Sequence, residues 1–363
     1  MSKKLDVIID ARMVDEHLHG IARYTYELIR NNNGEVQYHL LVNDIELAKK
    51  IFNGIKNIDF IEMKSKFLSL KEQIELPKIV NSFKGDAIFH SPSFVASPFI
   101  KKKMIMTIHD LNHIRYPEFY TPFHKYYYKY IVKTSANKCK KLLTVSEFSK
   151  QELVEWLNCS EEKVSVTYNG IDEAFKEETD NEKLNNIREK YDLPDKFILY
   201  IGNQKPHKNV ITLIRSMSLV DDKDIKLVIN GKLSDECYKE CEKLNIKDRV
   251  KCIGFVDDKD LPVLYSLAKV FVFPSLYEGF GLPPLEAMAC GCPTIVSNAA
   301  SLPEVVKDGA LIFNVLDYKD LSDKIKSLEY IDAYTLKEKA IKISKRYNWS
   351  KCYNKTLETY MLL

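Results

Sequence analysis

The 363-residue sequence contains no apolar run that approaches the roughly 20 residues needed to cross a bilayer as a helix. Nor does it begin like a secretory signal, because Lys3-Lys4 is followed by a short apolar run that Asp6 and Asp10 interrupt. These absences argue against a membrane-spanning or exported chain. We therefore expect a cytoplasmic protein.

Two kinds of cofactor site are also missing. The eight cysteines have spacings, such as Cys290-x-Cys292, that fit neither a zinc ribbon nor a thioredoxin motif. They are expected to be reduced thiols, mostly buried as small hydrophobic groups. The Gly-x-Gly-x-x-Gly pattern of dinucleotide sites is absent where Gly20 opens the helix after the first predicted strand, which argues against NAD.

The small net charge of +3 conceals a strongly basic segment. Residues 101–150 hold 11 Lys and Arg against 3 Asp and Glu, whereas the rest of the chain is net acidic. Between His124 and Lys133, tyrosines and lysines are mixed, which suits contact with an anionic membrane surface. A solvated helix whose tyrosines pack inward explains the same pattern equally well. No nucleic-acid recognition motif accompanies the charge, so nucleic acid is not an expected partner.

The order of the predicted elements indicates an α/β protein with two domains, and the length allows each to bury its own core. Apolar strands alternate with helical patterns, as in doubly wound parallel sheets, and the alternation restarts after a charged segment, 173–190, interpreted as a linker. In such sheets ligands bind beyond the carboxyl ends of the strands. The predicted strands are Leu5–Asp10, Val36–Val42, Asp86–His90, Met104–Ile108, Lys141–Val145, Phe197–Ile201, Ile225–Asn230, Val250–Ile253, Val270–Phe273 and Thr294–Val296.

The most informative segment follows the predicted strand Val270–Phe273. A glycine-bearing loop with Glu278 leads into a helix that two prolines open, with Glu286 in its first turns. The free amides and the dipole of a helix start favour an anion such as phosphate. Carboxylates accept hydrogen bonds from vicinal hydroxyls. The pattern thus predicts a sugar-nucleotide site, with an ordinary strand–turn–helix capped by Glu as the alternative.

Residues 275–291, Ser-Leu-Tyr-Glu-Gly-Phe-Gly-Leu-Pro-Pro-Leu-Glu-Ala-Met-Ala-Cys-Gly, closely resemble the Glu-x7-Glu motif of the group 1 (family 4) retaining glycosyltransferases of GT-B fold. The resemblance covers nearly the whole chain and implies two Rossmann-like doubly wound domains with a cleft between them. It implies an acceptor-side domain at 1–175, a nucleotide-sugar domain at 190–345, and a last helix, 346–363, that crosses back. Residues 107–111 and 203–209 are most similar to bacterial mannosyltransferases of O-antigen and surface-polysaccharide assembly.

The resemblance assigns donor-binding roles in the second domain. Glu286 is expected to bind the ribose hydroxyls and Glu278 the sugar hydroxyls. Cations are needed beside them, because a diphosphate next to two carboxylates is otherwise repelled. The basic loop after the strand Phe197–Ile201 supplies them, although it also fits an ordinary solvated turn. The residues expected to contact the donor are Gly202, Asn203, Lys205, Lys208, Val256, Phe280, Gly281, Leu282 and Glu286.

In the first domain the resemblance implies two further site residues. His109, in Thr-Ile-His-Asp-Leu at a strand end, corresponds to an active-site histidine near the sugar and the donor phosphate. Gly20 permits close backbone approach to the phosphate and the acceptor, and is alternatively a simple helix N-cap. His109 and His113 have a metal-ligand spacing, but they do not share a helix in which Glu follows the first His, so no metal is expected.

The resulting prediction is a metal-independent retaining glycosyltransferase with Glu278, His109 and Lys208 at the reaction centre. It moves a hexose, with mannose from GDP-mannose favoured, to a glycan or lipid-linked acceptor in O-antigen or other surface-polysaccharide assembly. The resemblance implies front-face attack assisted by the leaving phosphate. One of the two interpretations of the basic helix adds peripheral contact with the inner face of the membrane. Two alternatives stay open: a sugar-nucleotide epimerase on the same fold, and a catalytically silent, membrane-docked scaffold.

Overall fold

The computed structural model describes residues 4–18, 20–121 and 126–363, and the chain divides into two compact units. The first unit comprises residues 1–170 and 349–363, and the second comprises 171–348. The division falls within the turn Asn169-Gly170-Ile171-Asp172. The segment 173–190, interpreted from its charge as a linker, belongs to the second unit. His124 and Lys125 of the predicted basic helix lie outside the described residues.

The first unit is built on a seven-stranded parallel sheet in the order β3-β2-β1-β4-β5-β6-β7. The central strands are continuous apolar runs, as expected for strands that helices cover on both faces. The strand order reverses between β1 and β4, which creates a topological switch point. The strands are β1 (Leu5–Asp10), β2 (Val36–Val42), β3 (Ile58–Glu62), β4 (Ala87–Ser91), β5 (Lys103–Thr107), β6 (Lys141–Thr144) and β7 (Val164–Val166).

Helices of the first unit enclose a hydrophobic core on each face of this sheet. The last helix of the chain packs on one face, where Trp349, Tyr353 and Tyr360 join the core beside β1 and β2. The helices in the described residues are α1 (Ile21–Arg30), α2 (Ile45–Ile51), α3 (Glu72–Ser82), α4 (Asn112–Arg115), α5 (Lys133–Lys138, preceded by a π-helical turn Tyr127–Val132), α6 (Glu147–Leu157) and, numbered last in chain order, α15 (Trp349–Met361).

The second unit repeats the plan with a six-stranded parallel sheet in the order β10-β9-β8-β11-β12-β13. Its strands are β8 (Phe197–Tyr200), β9 (Lys226–Ile229), β10 (Val250–Cys252), β11 (Val270–Phe273), β12 (Thr294–Ser297) and β13 (Leu311–Phe313). Its helices are α7 (Asn181–Lys190), α8 (Val210–Leu219), α9 (Asp235–Lys243), α10 (Leu261–Leu267), α11 (Leu282–Ala289), α12 (Leu302–Val306), α13 (Tyr318–Ser327) and α14 (Ala333–Ser344). The predicted fold class, two Rossmann-like α/β domains, is confirmed.

The ten predicted strands each coincide with an observed strand to within one residue at either end. Three strands are not predicted from the sequence: β3, β7 and β13. All three are edge strands, which have a neighbour on one side only and need fewer apolar residues. No residue of β3 is fully buried, so it lacks the apolar run that marks a central strand.

Candidate active site

Two bonded loops at the carboxyl edge of the second sheet contain most of the predicted donor-binding residues. One loop, 202–209, follows β8, and the other, 274–281, follows the neighbouring strand β11. The Leu276 amide donates a hydrogen bond to the His207 carbonyl at 2.7 Å, and Asn209 Nδ2 donates to the Pro274 carbonyl at 3.1 Å. These bonds hold the predicted phosphate-binding loop against the predicted sugar-binding loop.

Lys208 and Glu278, two of the three predicted reaction-centre residues, are in direct contact. Lys208 Nζ lies 2.6 Å from Glu278 Oε1, and each side chain is only 15% exposed. The ammonium also lies 5.3 Å from the centroid of the Phe273 ring, within the range of a cation–π interaction. Partial burial makes this pair stronger than a typical surface ion pair. The charge balance predicted between a loop lysine and a loop glutamate is therefore present at this pair.

The other basic residues of the loop differ from Lys208. Lys205 is exposed, and within the described part of the chain its ammonium forms no ion pair. His207 is buried, and burial together with the Lys208 charge lowers its pKa to about 4. His207 is thus neutral near pH 7 and adds no charge to the loop.

The start of α11 is shaped by Gly281 and by a buried serine. Gly281 has a φ of 99°, and a Cβ at this position would lie 2.7 Å from Leu302 Cδ2, so only glycine fits without rearrangement. The Ser301 hydroxyl lies 2.9 Å from the Glu278 carbonyl and 3.1 Å from the Phe280 carbonyl. Ser301, which sequence motifs do not single out, therefore holds the loop that leads into Leu282.

Glu286, in α11, has a hydrogen-bond partner that the sequence does not predict. The Tyr265 hydroxyl donates to Glu286 Oε2 at 3.3 Å. Burial raises the pKa of Tyr265 well above its usual range, so this hydroxyl stays protonated and remains a donor. Tyr265 precedes β11 in α10 and belongs to no recognisable motif, so only its position in the fold identifies it.

The remaining donor-site candidates lie beside the same sheet edge. The Gly202 amide donates to Asn230 Oδ1 at 2.8 Å, which joins the ends of β8 and β9. The Asn203 carbonyl accepts a hydrogen bond from the Tyr200 hydroxyl at 2.6 Å. Val256 is buried two residues after Gly254, whose carbonyl accepts from the Gly231 amide at 2.6 Å. The predicted residues therefore belong to one connected set of loops after β8, β9, β10 and β11.

In the first unit His109 follows β5 and has a defined tautomer. Its Nε2 lies 3.0 Å from the Pro92 carbonyl, which only accepts, so Nε2 bears the proton. Burial lowers the pKa of His109 to about 4, so the ring is neutral near pH 7 and Nδ1 is a hydrogen-bond acceptor. The Tyr24 and His109 rings are perpendicular to each other, with 4.8 Å between their centroids. His113, by contrast, stacks on Tyr128 at 4.9 Å.

In residues 4–18, 20–121 and 126–363, no three His, Cys, Asp or Glu side chains are grouped to hold a metal ion. All eight cysteines are free thiols, and six of them are buried. Gly20 is exposed at the start of α1 with a φ of 47°, and a Cβ there would meet open space. The backbone conformation at Gly20, not crowding, is what favours glycine.

The tyrosines of the basic segment divide between the core and the surface. Tyr127 and Tyr128 are buried, whereas Tyr126 and Tyr130 are 60% and 56% exposed. The two exposed rings are parallel with centroids 6.3 Å apart, and Lys129 Nζ lies 5.3 Å from the Tyr130 centroid. Two of the four tyrosines are therefore packed inward, as in a solvated helix, and the other two are exposed, as contact with a membrane surface would require. Within the described ranges, no helix is both long enough and apolar enough to cross a membrane.

Two parallel-sheet units, with a lysine–glutamate pair and a helix start at the strand ends of the second, define the class: a glycosyltransferase of GT-B fold. The model of glycosyl transferases group 1 matches residues 182–346, and that of glycosyltransferase family 4 matches 18–175. The chain belongs to this group 1 and family 4 glycosyltransferase family, as the resemblance implied.

One of the curated relatives matches nearly the full length of the chain, and another matches about two thirds of it. It is 28% identical to O-antigen chain mannosyltransferase B of Escherichia coli, over 99% of this chain and 100% of that protein. It is 31% identical to O-antigen chain mannosyltransferase RfbU of Salmonella typhimurium, over 64% of this chain and 63% of that protein. Among solved structures, Anabaena HepE in complex with UDP-glucose superimposes with a TM-score of 0.78, at 18% identity, over 99% of this chain and 100% of HepE.

Proposed function

We propose that the protein is a retaining mannosyltransferase that uses GDP-mannose and a glycan or lipid-linked acceptor in the assembly of O-antigen or a related surface polysaccharide. The observation that supports transfer most directly is the partly buried Lys208–Glu278 pair in the loops after β8 and β11. Mannose as the transferred sugar is supported by the two relatives that are named O-antigen mannosyltransferases.

In the proposed donor complex, Glu286 binds the ribose hydroxyls and Glu278 the hydroxyls of the sugar. Tyr265 holds Glu286 in place through its 3.3 Å hydrogen bond. Lys208 and Lys205, with the backbone amides of residues 280–282, bind the diphosphate, while the backbone near Val256 contacts the base. Lys208 then exchanges part of its contact with Glu278 for phosphate oxygens, which frees Glu278 for the sugar.

The proposed reaction breaks the bond between the anomeric carbon and the phosphate oxygen on the face where the acceptor hydroxyl attacks. The acceptor proton passes to the departing phosphate, so no protein nucleophile is needed and the configuration is retained. Lysine ammonium groups stabilise the negative charge that develops on the diphosphate. Neutral His109 accepts a hydrogen bond at Nδ1 from a sugar hydroxyl. Because the cations are lysines, the proposal includes no metal, and EDTA should leave the rate unchanged.

Contact with an anionic membrane is a further part of the proposal, since it would bring the enzyme to a lipid-linked acceptor on the inner face. It is supported by four exposed apolar or aromatic side chains: Leu70, Ile74, Tyr126 and Tyr130. The two segments that carry them are neighbours, because Gln73 Nε2 lies 3.4 Å from the Tyr127 hydroxyl. Lys71 and Lys129 lie among them and would attract anionic headgroups.

The experiment that tests the proposal is a thermal-shift screen of GDP- and UDP-sugars followed by product analysis. A preferred donor raises the melting temperature by mass action, and GDP-mannose should give the largest shift. Donor with acceptor should yield an α-linked mannoside, whereas donor alone should yield no epimerised sugar nucleotide. A β-linked product would reject the retaining mechanism, and a larger shift with another donor would reject GDP-mannose.

Co-sedimentation with vesicles tests the membrane contact separately. Vesicles that contain phosphatidylglycerol should bind the protein at low salt, and neutral phosphatidylcholine vesicles should bind it much less. The variant with Tyr126→Ser and Tyr130→Ser should bind less, whereas replacement of the still more exposed Tyr334 of the second unit by Ser should have no effect. Equal binding by both variants would reject this surface.

A further inference from the structure

A row of aromatic side chains lies at the carboxyl edge of the first sheet, and the proposed donor chemistry does not use it. Phe67 follows β3, Phe94 follows β4 and His113 follows β5. The ring centroids of Phe67 and Phe94 are 6.2 Å apart, and those of Phe94 and His113 are 5.4 Å apart. All three side chains are half-buried. We name these three residues the aromatic ledge.

The aromatic ledge spans the topological switch point of the sheet. β3 and β4 are separated by β2 and β1, so the contact between Phe67 and Phe94 bridges the carboxyl ends of β1 and β2. Open α/β sheets bind ligands in the crevice at this place, because the connections on either side of it run in opposite directions. Two phenylalanine rings from loops and the His113 ring from α4 therefore meet where a ligand is expected.

A buried ionic cluster supports one end of the aromatic ledge. The Arg12 guanidinium lies 5.6 Å from the Phe67 centroid and binds Asp10 at 2.7 Å and Glu72 at 2.9 Å. The Arg12 side chain is fully buried, and burial raises the pKa of Glu72. In the middle of the aromatic ledge, Phe94 packs on the buried Tyr128 ring at 5.1 Å. Both phenylalanine rings are thus held in place before any ligand binds, which lowers the cost of binding.

The aromatic ledge is also tied to His109. Phe94 is two residues after Pro92, whose carbonyl accepts the hydrogen bond from His109 Nε2. The short loop between β4 and Phe94 is internally bonded: the Ser91 hydroxyl donates to the Ser93 carbonyl at 2.9 Å, and the Ser93 hydroxyl accepts from the Val95 amide at 3.1 Å. The position of Phe94 relative to His109 is therefore set by one rigid loop.

We propose that the aromatic ledge binds a sugar ring of the acceptor, with the C–H face of the pyranose against Phe94 and Phe67. The inference rests on the proposed glycosyl transfer and names the acceptor side of the same site. An aromatic face is electron-rich, so it attracts the weakly positive C–H groups on one face of a sugar. A pyranose also bears hydroxyls, which suit the half-buried Asp110 beside His109 better than an alkyl chain does.

Acceptor kinetics with two mannosides test the proposal. Methyl α-mannopyranoside presents the sugar alone, and octyl α-mannopyranoside presents the same sugar with an alkyl chain. Phe94→Ala and Phe67→Ala should each raise the acceptor KM about tenfold for both compounds, since an aromatic contact with its burial is lost. The KM for the donor should not change. Phe94→Leu, which keeps most of the packing, should also raise the acceptor KM.

Phe83→Ala is the matched control, because Phe83 is another half-buried phenylalanine of the first unit and lies at the far end of α3. It should leave the acceptor KM unchanged. An unchanged KM in both ledge variants would overturn the proposal. So would an effect confined to the octyl compound, because the alkyl chain and not the sugar would then lie on the rings.

Saturation-transfer NMR keeps the test independent of turnover. Irradiation of the aromatic protons of the protein, with GDP present, should transfer saturation to the ring C–H protons of methyl α-mannopyranoside. Transfer should fall at least several-fold in Phe94→Leu and persist in Phe83→Ala. If the protein shows this pattern of saturation transfer but no transferase activity, only the proposed function is refuted. If the wild-type protein and both variants show equal saturation, the binding of a sugar by the aromatic ledge is refuted.

Discussion

The carboxyl edges of the two sheets differ in how their polar and aromatic groups are assembled. In the second unit, two loops of eight residues each provide the Lys208–Glu278 pair and the glycine at the helix start. In the first unit, Arg12, Phe67, Phe94 and His109 come from four loops that are far apart in sequence. The proposed function accounts for this difference, because a diphosphate needs charges and amides in one small volume, whereas an acceptor sugar presents a broad face.

The largest expected effect tests the Lys208–Glu278 pair at the carboxyl edge of the second sheet. Lys208→Ala should lower kcat/KM for transfer about 10³-fold, because the proposed function assigns this cation to the leaving diphosphate. The protein should stay folded without donor, although its melting temperature should fall because Glu278 loses its cation. Lys337→Ala is the matched control, since Lys337 also pairs with a glutamate at 2.6 Å in the second unit, away from the two loops. Equal losses in both variants would show that Lys208 matters only as an ion pair.

The second prediction concerns the buried cluster of the first unit. Arg12→Met should lower the free energy of unfolding of this unit by about 3 kcal/mol, because Asp10 and Glu72 would remain buried without their cation. Lys50→Met, which breaks an exposed pair with Glu16 in the same unit, should cost much less. Both tryptophans, Trp156 and Trp349, belong to the first unit, so their fluorescence reports its unfolding in urea.

The pH dependence of the Arg12→Met variant gives an independent check. Glu72 already has a raised pKa in the folded protein, and a carboxyl of this kind destabilises the fold as the pH rises. Removal of Arg12 should strengthen that trend, so the loss of stability should be greater at pH 8 than at pH 5. An equal loss at both values would contradict the assignment of the effect to Glu72 and Asp10.

The third prediction is acid sensitivity of the first unit through its buried histidines. Burial lowers the pKa of His90 to about 3 and that of His109 to about 4. A histidine in the unfolded chain takes up a proton near pH 6.5. The contribution of each neutral, buried histidine to the free energy of unfolding is therefore fully present above that pH and is lost as the pH falls toward these values. At pH 5 each histidine should lower the free energy of unfolding by about 2 kcal/mol.

Urea unfolding followed by tryptophan fluorescence at pH 7.5 and pH 5 measures this loss. His90→Gln should reduce the difference between the two pH values by roughly half of the histidine contribution. His17→Gln, an exposed position in the same unit, should leave the difference as it is. If His90→Gln also leaves it unchanged, the acid sensitivity has another origin.

The smallest expected effect concerns Tyr265. Tyr265→Phe removes one hydrogen bond to Glu286 and should raise the KM for the donor about fivefold, with kcat nearly unchanged, since a hydrogen bond as long as 3.3 Å contributes only about 1 kcal/mol. Tyr191→Phe is the control, because the Tyr191 hydroxyl also donates to a carboxylate of the second unit, that of Asp260, at 2.7 Å. Only the Tyr265 variant should alter donor binding.

Much of the fold, and much of the candidate donor site in the second unit, could be predicted from local patterns. Central strands such as Val270–Phe273 are apolar runs of fixed length, and the Glu278–Glu286 segment lies on one strand–loop–helix connection. Edge strands such as Ile58–Glu62 escape this kind of prediction, because they bury one side only and their composition is close to that of a loop. Tyr265 and Ser301 escape it as well, since each contacts the site from a different helix or loop.

The sequence by itself determined the two α/β units, the polarity of the loops after β8 and β11, and the family to which the chain belongs. These properties depend on residues that are neighbours in the chain, so the chemistry of a short segment is sufficient. Only the tertiary structure decided that Lys208 contacts Glu278, that Tyr265 supports Glu286, and that Phe67 and Phe94 meet above the ends of β1 and β2. Such contacts depend on the order of strands in a sheet, and that order follows from how whole helices and strands pack, not from any single stretch of sequence.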